Sequence, residues 1–250
     1  MSFDQLKAIL DREVRARNNQ EELSLERPDP LLTASRYRDE SIALICALFG
    51  YGNARQIVKF LDSLDFLLLD HSEEEIIKGL KKHYYRFQKS EDVAALFIAL
   101  KRLREQESLE DIFYEGYRVE ESILNGLWRL IERLSGVYPY ETRGYRFLIG
   151  TIPKSIASAG TYKRYMMFLR WMVRCDHLDM GLWSKIEKRH LIMPLDTHTF
   201  QVSHRLGLIE RKSYDMKAAL ELTERLRLFD PEDPVKYDFA LYRLGQEKLR

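Results

Sequence analysis

Apolar residues recur at three- and four-residue intervals along most of this 250-residue chain, and alternating, strand-like runs bounded by turn residues are scarce. That periodicity predicts an all-α fold. A first helix is expected over residues 3–18, followed by a polar stretch closed by Pro28-Asp29-Pro30. Ser41-Ile42-Ala43-Leu44-Ile45-Cys46-Ala47-Leu48-Phe49 is apolar nearly all round and reads as a central buried helix that stops at Gly50-Tyr51-Gly52-Asn53. Further helices are expected over 55–69, after Ser72 and Glu75, which match a capping box, after Ser90 and Ser108 as caps, and over 119–134. Lys81-Lys82 and Lys101-Arg102 read as solvated faces of this scaffold.

From residue 136 to 160 the chain changes character, with Pro139, Pro153 and several glycines in loops, and is expected to be either a hinge between lobes or a DNA-contacting loop. Helices follow over 161–175 and 197–207, on either side of an irregular insert at 176–194. Two last helices, over 215–229 and 234–249, are separated by Asp230-Pro231-Glu232-Asp233-Pro234, where the prolines force a break. No internal repeat of solenoid length is visible. A chain of this length can bury a sizeable core, as one large domain or as two lobes around a cleft.

Lysine and arginine total 40 against 39 aspartates and glutamates, so any site for a polyanion must be a local basic patch. Two cysteines, Cys46 and Cys175, exclude a disulfide framework and a four-cysteine cluster, and both are expected as small buried hydrophobes. The first residues lack a basic segment followed by an apolar core, and no apolar run reaches the length of a membrane span. A cytoplasmic protein without membrane association is expected.

Two positions invite chemistry. Lys163 opens a helix that continues as Met166, Met167, Phe168, Leu169, Trp171 and Met172, and an ammonium held against that surface loses hydration, which favours the neutral, nucleophilic amine. A lysine that snorkels from a helix start is the plainer reading. Asp196 follows Pro194 and precedes a helix, where a carboxylate commonly caps backbone amides. Held near Lys163, it would also help deprotonate the amine and stabilise developing positive charge. His190, His198 and His204 lack the spacing and acidic partners of a metal site, and no glycine-rich phosphate loop is present, so neither a metal nor a soluble cofactor is expected.

The segment Asp196-Thr197-His198-Thr199-Phe200-Gln201-Val202 resembles the one that carries the catalytic aspartate in the endonuclease III branch of the helix-hairpin-helix DNA glycosylases, and Lys163 with its apolar helix resembles that superfamily's lysine helix. Two departures stand out. Asp196 lies 33 positions after Lys163, farther than in common members, and Ile152-Pro153-Lys154-Ser155-Ile156-Ala157-Ser158-Ala159-Gly160 replaces the usual Pro-Gly-x-Gly hairpin. Both features look like the archaeal-type 8-oxoguanine DNA glycosylases. The chain is also similar, over most of its length, to a bacterial family with the patterns found here at residues 163–174, 194–198 and 230–241.

The resemblance implies a two-lobed helical fold with a DNA-binding cleft, one lobe spanning about residues 31–150 and the other about 1–30 with 151–250. It implies a monomeric glycosylase and abasic-site lyase that acts on double-stranded DNA containing oxidised guanine, with Lys163 attacking deoxyribose C1′ and Asp196 assisting. Asp238 and Tyr242, four apart on one helical face, would bind and stack on the flipped base, although a surface aspartate beside a core tyrosine fits them equally. Tyr51, Asn53 and Arg55 would fill the hole left in the duplex, although a plain helix connection fits them equally. Lys154, Ser158, Gly160 and Arg164, around the turn before the lysine helix, would hold phosphate, with Arg170 and Arg174 either in that patch or facing solvent. A glycosylase for another damaged base, or a helical module that binds DNA or protein without chemistry, is also compatible with the sequence.

Overall fold

A computed structural model describes residues 2–248, with residues 20 and 246–248 described by their main chain alone. Among the described residues there are thirteen α-helices and no β-strand, only two isolated bridges. The chain forms two compact units, one from Leu23–Ile152 and the other from Met1–Glu22 together with Pro153–Arg250.

The Leu23–Ile152 unit contains α2 (Pro30–Tyr37), α3 (Glu40–Leu48), α4 (Ala54–Leu61), α5 (Glu73–Leu80), α6 (Ser90–Arg104), α7 (Leu109–Tyr117), α8 (Ile123–Val137) and α9 (Arg143–Ile149). Its core is built on α3, buried from Ser41 to Leu48, and on α6, buried from Asp92 to Leu100. A helix buried on every side needs apolar residues at every position rather than on one stripe, and residues 42–48 and 93–100 supply them. Gly126 lets α8 approach α7 closely, since a Cβ there would fall 2.6 Å from the Phe113 ring.

Several boundaries differ from the sequence expectation for local reasons. The helix expected over 55–69 ends at Leu61, because the Ser63 hydroxyl donates to the Phe60 carbonyl at 2.7 Å and Asp65 caps a separate 3₁₀ turn at Phe66–Asp70. Ser90 is the first residue of α6 rather than its cap, and the long helix expected from residue 119 starts at Ile123 with Ser122 as cap. The region expected as loop over 136–160 contains α9, which Thr142 caps at Tyr145 N. Lys81, the C-cap of α5, and Lys82 just beyond it are exposed to solvent as expected, whereas Lys101 is paired with Glu105 and Arg102 with Glu73.

The second unit contains α1 (Phe3–Arg17), α10 (Lys163–Val173), α11 (Thr197–Arg205), α12 (Met216–Arg227) and α13 (Asp238–Lys248). Its centre is α10, buried from Tyr165 to Met172, with Trp171 fully enclosed. The insert after α10 folds back on it: the N–H groups of Met180 and Trp183 donate to the carbonyls of Trp171 and Met172 at 2.9 and 2.8 Å, satisfying the helix end. Cys175 lies past the end of α10 and is exposed, whereas Cys46 is buried as expected and its thiol is pushed up by burial. From the start of the chain, α1 contributes Leu6 and Leu10 to this core and holds the Tyr237 hydroxyl on Asp11 at 2.8 Å. No helix among the described residues is long and apolar enough to cross a membrane.

Candidate active site

Lys163 is the first residue of α10 and half-buried. The residue before it, Tyr162, sits in the left-handed region at φ 46°, and no side chain caps the helix. Left-handed backbone is costly for a residue with a Cβ and persists only where the surroundings impose it. The Lys163 ammonium makes no hydrogen bond or ion pair among the described residues. A lysine with no carboxylate on it is available to a substrate.

Asp196 is the N-cap of α11, where its Oδ1 accepts from Thr199 N at 2.7 Å. Capping uses one carboxylate oxygen and leaves the other for a second task. The starts of α10 and α11 are tied by Tyr214, a residue the sequence reading passed over. Its hydroxyl donates to the Leu195 carbonyl at 2.8 Å and accepts from the Thr161 hydroxyl at 3.2 Å. Thr161 lies two residues before Lys163 and Leu195 one before Asp196, so a single phenol joins the two segments. Burial, with the nearby Asp196 charge, raises the Tyr214 pKa and keeps the phenol protonated as donor.

Asp238, at the start of α13, is buried and lies close enough to Lys163 and Asp196 to feel both charges. Burial pushes its carboxyl up to about 6, against the attraction of Arg170 and Lys163 and with the repulsion of Asp196. Its Oδ2 receives Arg170 Nη1, and Oδ1 has no partner among the described residues. Arg170 also reaches Asp179 through Nε at 3.1 Å and lies over the Phe239 ring at 4.6 Å. Arg174 continues the network to Asp179, to Asp233 at 2.9 Å and to Asp176 at 2.9 Å. Both arginines are therefore buried in an ionic lattice, not in a phosphate patch or facing solvent. Tyr242, one turn on from Asp238, is half-buried with the Arg243 guanidinium 5.5 Å from its ring centre.

The turn before α10 is a 3₁₀ segment at Ile156–Ser158, in which Ser158 Oγ donates to the Ser155 carbonyl at 2.9 Å. Lys154, Ser158 and Gly160 are exposed there, and Arg164 is half-buried in the first turn of α10. Tyr51, Asn53 and Arg55 belong to the Leu23–Ile152 unit. Asn53 caps α4, accepting from Arg55 N at 3.0 Å and Gln56 N at 3.3 Å, and Arg55 is exposed. The Tyr51 hydroxyl is hydrogen-bonded to the Gln88 side chain. His204 Nε2 lies 2.7 Å from the Arg211 carbonyl, a structural contact. No three His, Cys, Asp or Glu side chains among the described residues gather as a metal-ligand set.

Fold and site together define an all-helical protein in which one unit carries a lysine and two carboxylates around paired helix starts. The chain belongs to the family described as "Protein of unknown function (DUF2400)", whose model matches residues 29–247. Comparison with the curated proteins and with the solved structures gives no match.

Proposed function

We propose that this protein is a DNA glycosylase and abasic-site lyase that uses Lys163 as nucleophile, with oxidised guanine in double-stranded DNA as its substrate. The observation that carries this reading is the grouping of an unpaired Lys163, a half-used Asp196 carboxylate and the buried Asp238, with Tyr214 joining the first two segments. The motif resemblance supplies the reaction and the damaged base.

In this mechanism Asp196 accepts a proton from the Lys163 ammonium, and the free amine attacks deoxyribose C1′. The C1′–N bond breaks with its electron pair on the base, which takes up the proton that Asp196 received from Lys163 and leaves neutral. Opening of the sugar gives a Schiff base between Lys163 and C1′; loss of a C2′ proton then expels the 3′ phosphate. Asp238 Oδ1 is the acceptor for the guanine N1 and N2 hydrogens, and Tyr242 offers a stacking face.

Borohydride trapping on a duplex with a single 8-oxoguanine tests this directly. Wild-type protein is expected to form a covalent adduct and Lys163→Gln none, while Lys163→Gln keeps its affinity for the duplex. An adduct on an abasic duplex alone would retain the lyase and discard the oxidised base. Absence of an adduct on both would overturn the lysine mechanism.

A further inference from the structure

Between α5 and α6 the chain reads Lys81-Lys82-His83-Tyr84-Tyr85-Arg86-Phe87-Gln88-Lys89, with cations and aromatics interleaved and no acid. The main chain reverses here, with Tyr85 N donating to Gln88 O at 3.1 Å and Gln88 N to Tyr85 O at 2.9 Å, and Arg86 at φ 56°. Tyr85 and Gln88 are buried and anchor the turn. The Tyr85 hydroxyl donates to the Tyr51 carbonyl at 2.7 Å, its ring packs on Phe60 at 4.9 Å, and the Gln88 side chain holds the Tyr51 hydroxyl. Gly52 sits at φ 103°, a backbone conformation that a residue with a Cβ rarely adopts, and a Cβ there would also lie 3.1 Å from the Tyr85 hydroxyl.

What this anchoring presents is aromatic surface. Tyr84 is 73% and Phe87 48% exposed, and Phe87 packs edge-on against Phe147, itself 39% exposed, at 4.9 Å. Around them Lys81, Lys82, Arg86 and Lys89 are exposed and make no ion pair among the described residues. Elsewhere in the same unit Arg102, Arg104, Arg129 and Arg133 each reach a carboxylate. Cations left without acids beside held, exposed rings suit a ligand that is anionic and carries flat π faces. An apolar partner would strip water from four charges without replacing it, and an acidic peptide offers nothing to the rings.

We propose that the Tyr84–Phe87 turn binds unpaired nucleotides of a nucleic-acid strand, with Phe87 and Tyr84 stacking on bases and Lys81, Lys82, Arg86 and Lys89 pairing with phosphates. The site does not depend on Lys163 chemistry, and the two readings stand or fall separately.

The test is fluorescence anisotropy on the full-length protein with a short single-stranded DNA, the same sequence as RNA, the intact duplex, and a polyglutamate peptide. Phe87→Ala is expected to weaken single-strand binding by about tenfold, the loss of one stacked base, and Phe87→Trp to restore it. Binding to the intact duplex should change less than twofold. Lys81→Ser with Lys82→Ser should flatten the salt dependence of single-strand affinity by about 1.4 in log–log slope. Quenching of 2-aminopurine in the strand, lost in Phe87→Ala, reads stacking itself. DNA and RNA binding alike assigns the site to any unpaired strand, and a preference for one names the source. Single-strand affinity unchanged in Phe87→Ala, or polyglutamate bound as tightly as the strand, would overturn the proposal. Lys163→Gln is expected to bind as wild type, which separates this outcome from failure of the borohydride adduct.

Discussion

At the level of single residues, Asp196 caps α11 and in the proposed mechanism also takes a proton from Lys163, two roles that a substitution can separate. Asparagine caps a helix as well as aspartate does, so Asp196→Asn should keep the bond to Thr199 N and change stability by less than about 0.5 kcal/mol. If the carboxylate also deprotonates Lys163, borohydride trapping should slow by about a hundredfold, the usual contribution of a positioned base. Trapping at the wild-type rate would reduce Asp196 to a cap. Asp238 makes a second prediction, in pH. Its carboxyl is raised to about 6, so it is charged above that value and neutral below it. Base recognition through Oδ1 should therefore fade as pH drops through about 6. The readout is the ratio of 8-oxoguanine excision to strand cleavage at a preformed abasic site, because both steps need Lys163 and its own protonation cancels. A ratio flat across that window would remove Asp238 from base recognition. For stability the sign is opposite: the folded chain binds a proton that the unfolded chain releases, so this group's contribution is complete below the unfolded value and is lost as pH rises through about 6.

Among the helices and turns, what was legible in the sequence was local. The capping box at Ser72 and Glu75 forms as written, since its bonds run only three residues along the chain. Helix α9 was hidden because seven residues are too few for periodicity to speak, and what holds it is distant: Thr142 bonds to Asp92, and Gly144 lies against the same carboxylate. The site divides in the same way. Lys163 and Asp196 stand out by their places at helix starts, but the partner of Asp238 is Arg170, 68 positions earlier, and Tyr214 lies in an unremarkable stretch before α12. No local pattern announces a bond of that span. Tyr214→Phe keeps the ring and removes the link between Thr161 and Leu195, which should cost about 1 kcal/mol of stability by denaturant unfolding. If the link sets the approach of Lys163 to C1′, trapping should slow at unchanged DNA affinity. Stability lost without slower trapping would make Tyr214 a structural tie alone.

For the whole molecule, the chain enters one unit, leaves it to build the other, and returns. The Leu23–Ile152 unit has its own buried helices in α3 and α6, and a fragment of those residues is expected to show helical circular dichroism with a cooperative thermal transition. A chain beginning at residue 23 should fare worse. It removes Asp11 from Tyr237 and Glu22 from the buried Arg243, and an abandoned buried charge costs about 3–5 kcal/mol. Equal melting of the two shortened chains would contradict this division. The family match begins at residue 29, yet α1 before it supplies the fully buried Leu10.

The discontinuity also sets an order of events during synthesis. Helix α1 is made long before the segments it packs on, at Pro234–Tyr237 and α13. At ordinary elongation rates that interval is on the order of ten seconds or more. During it the Leu23–Ile152 unit can fold, while α1 waits with Leu6 and Leu10 uncovered. Lys163 and Asp196 emerge within that interval and Asp238 at its close, so the lysine cluster is complete only once the start of α13 has been made.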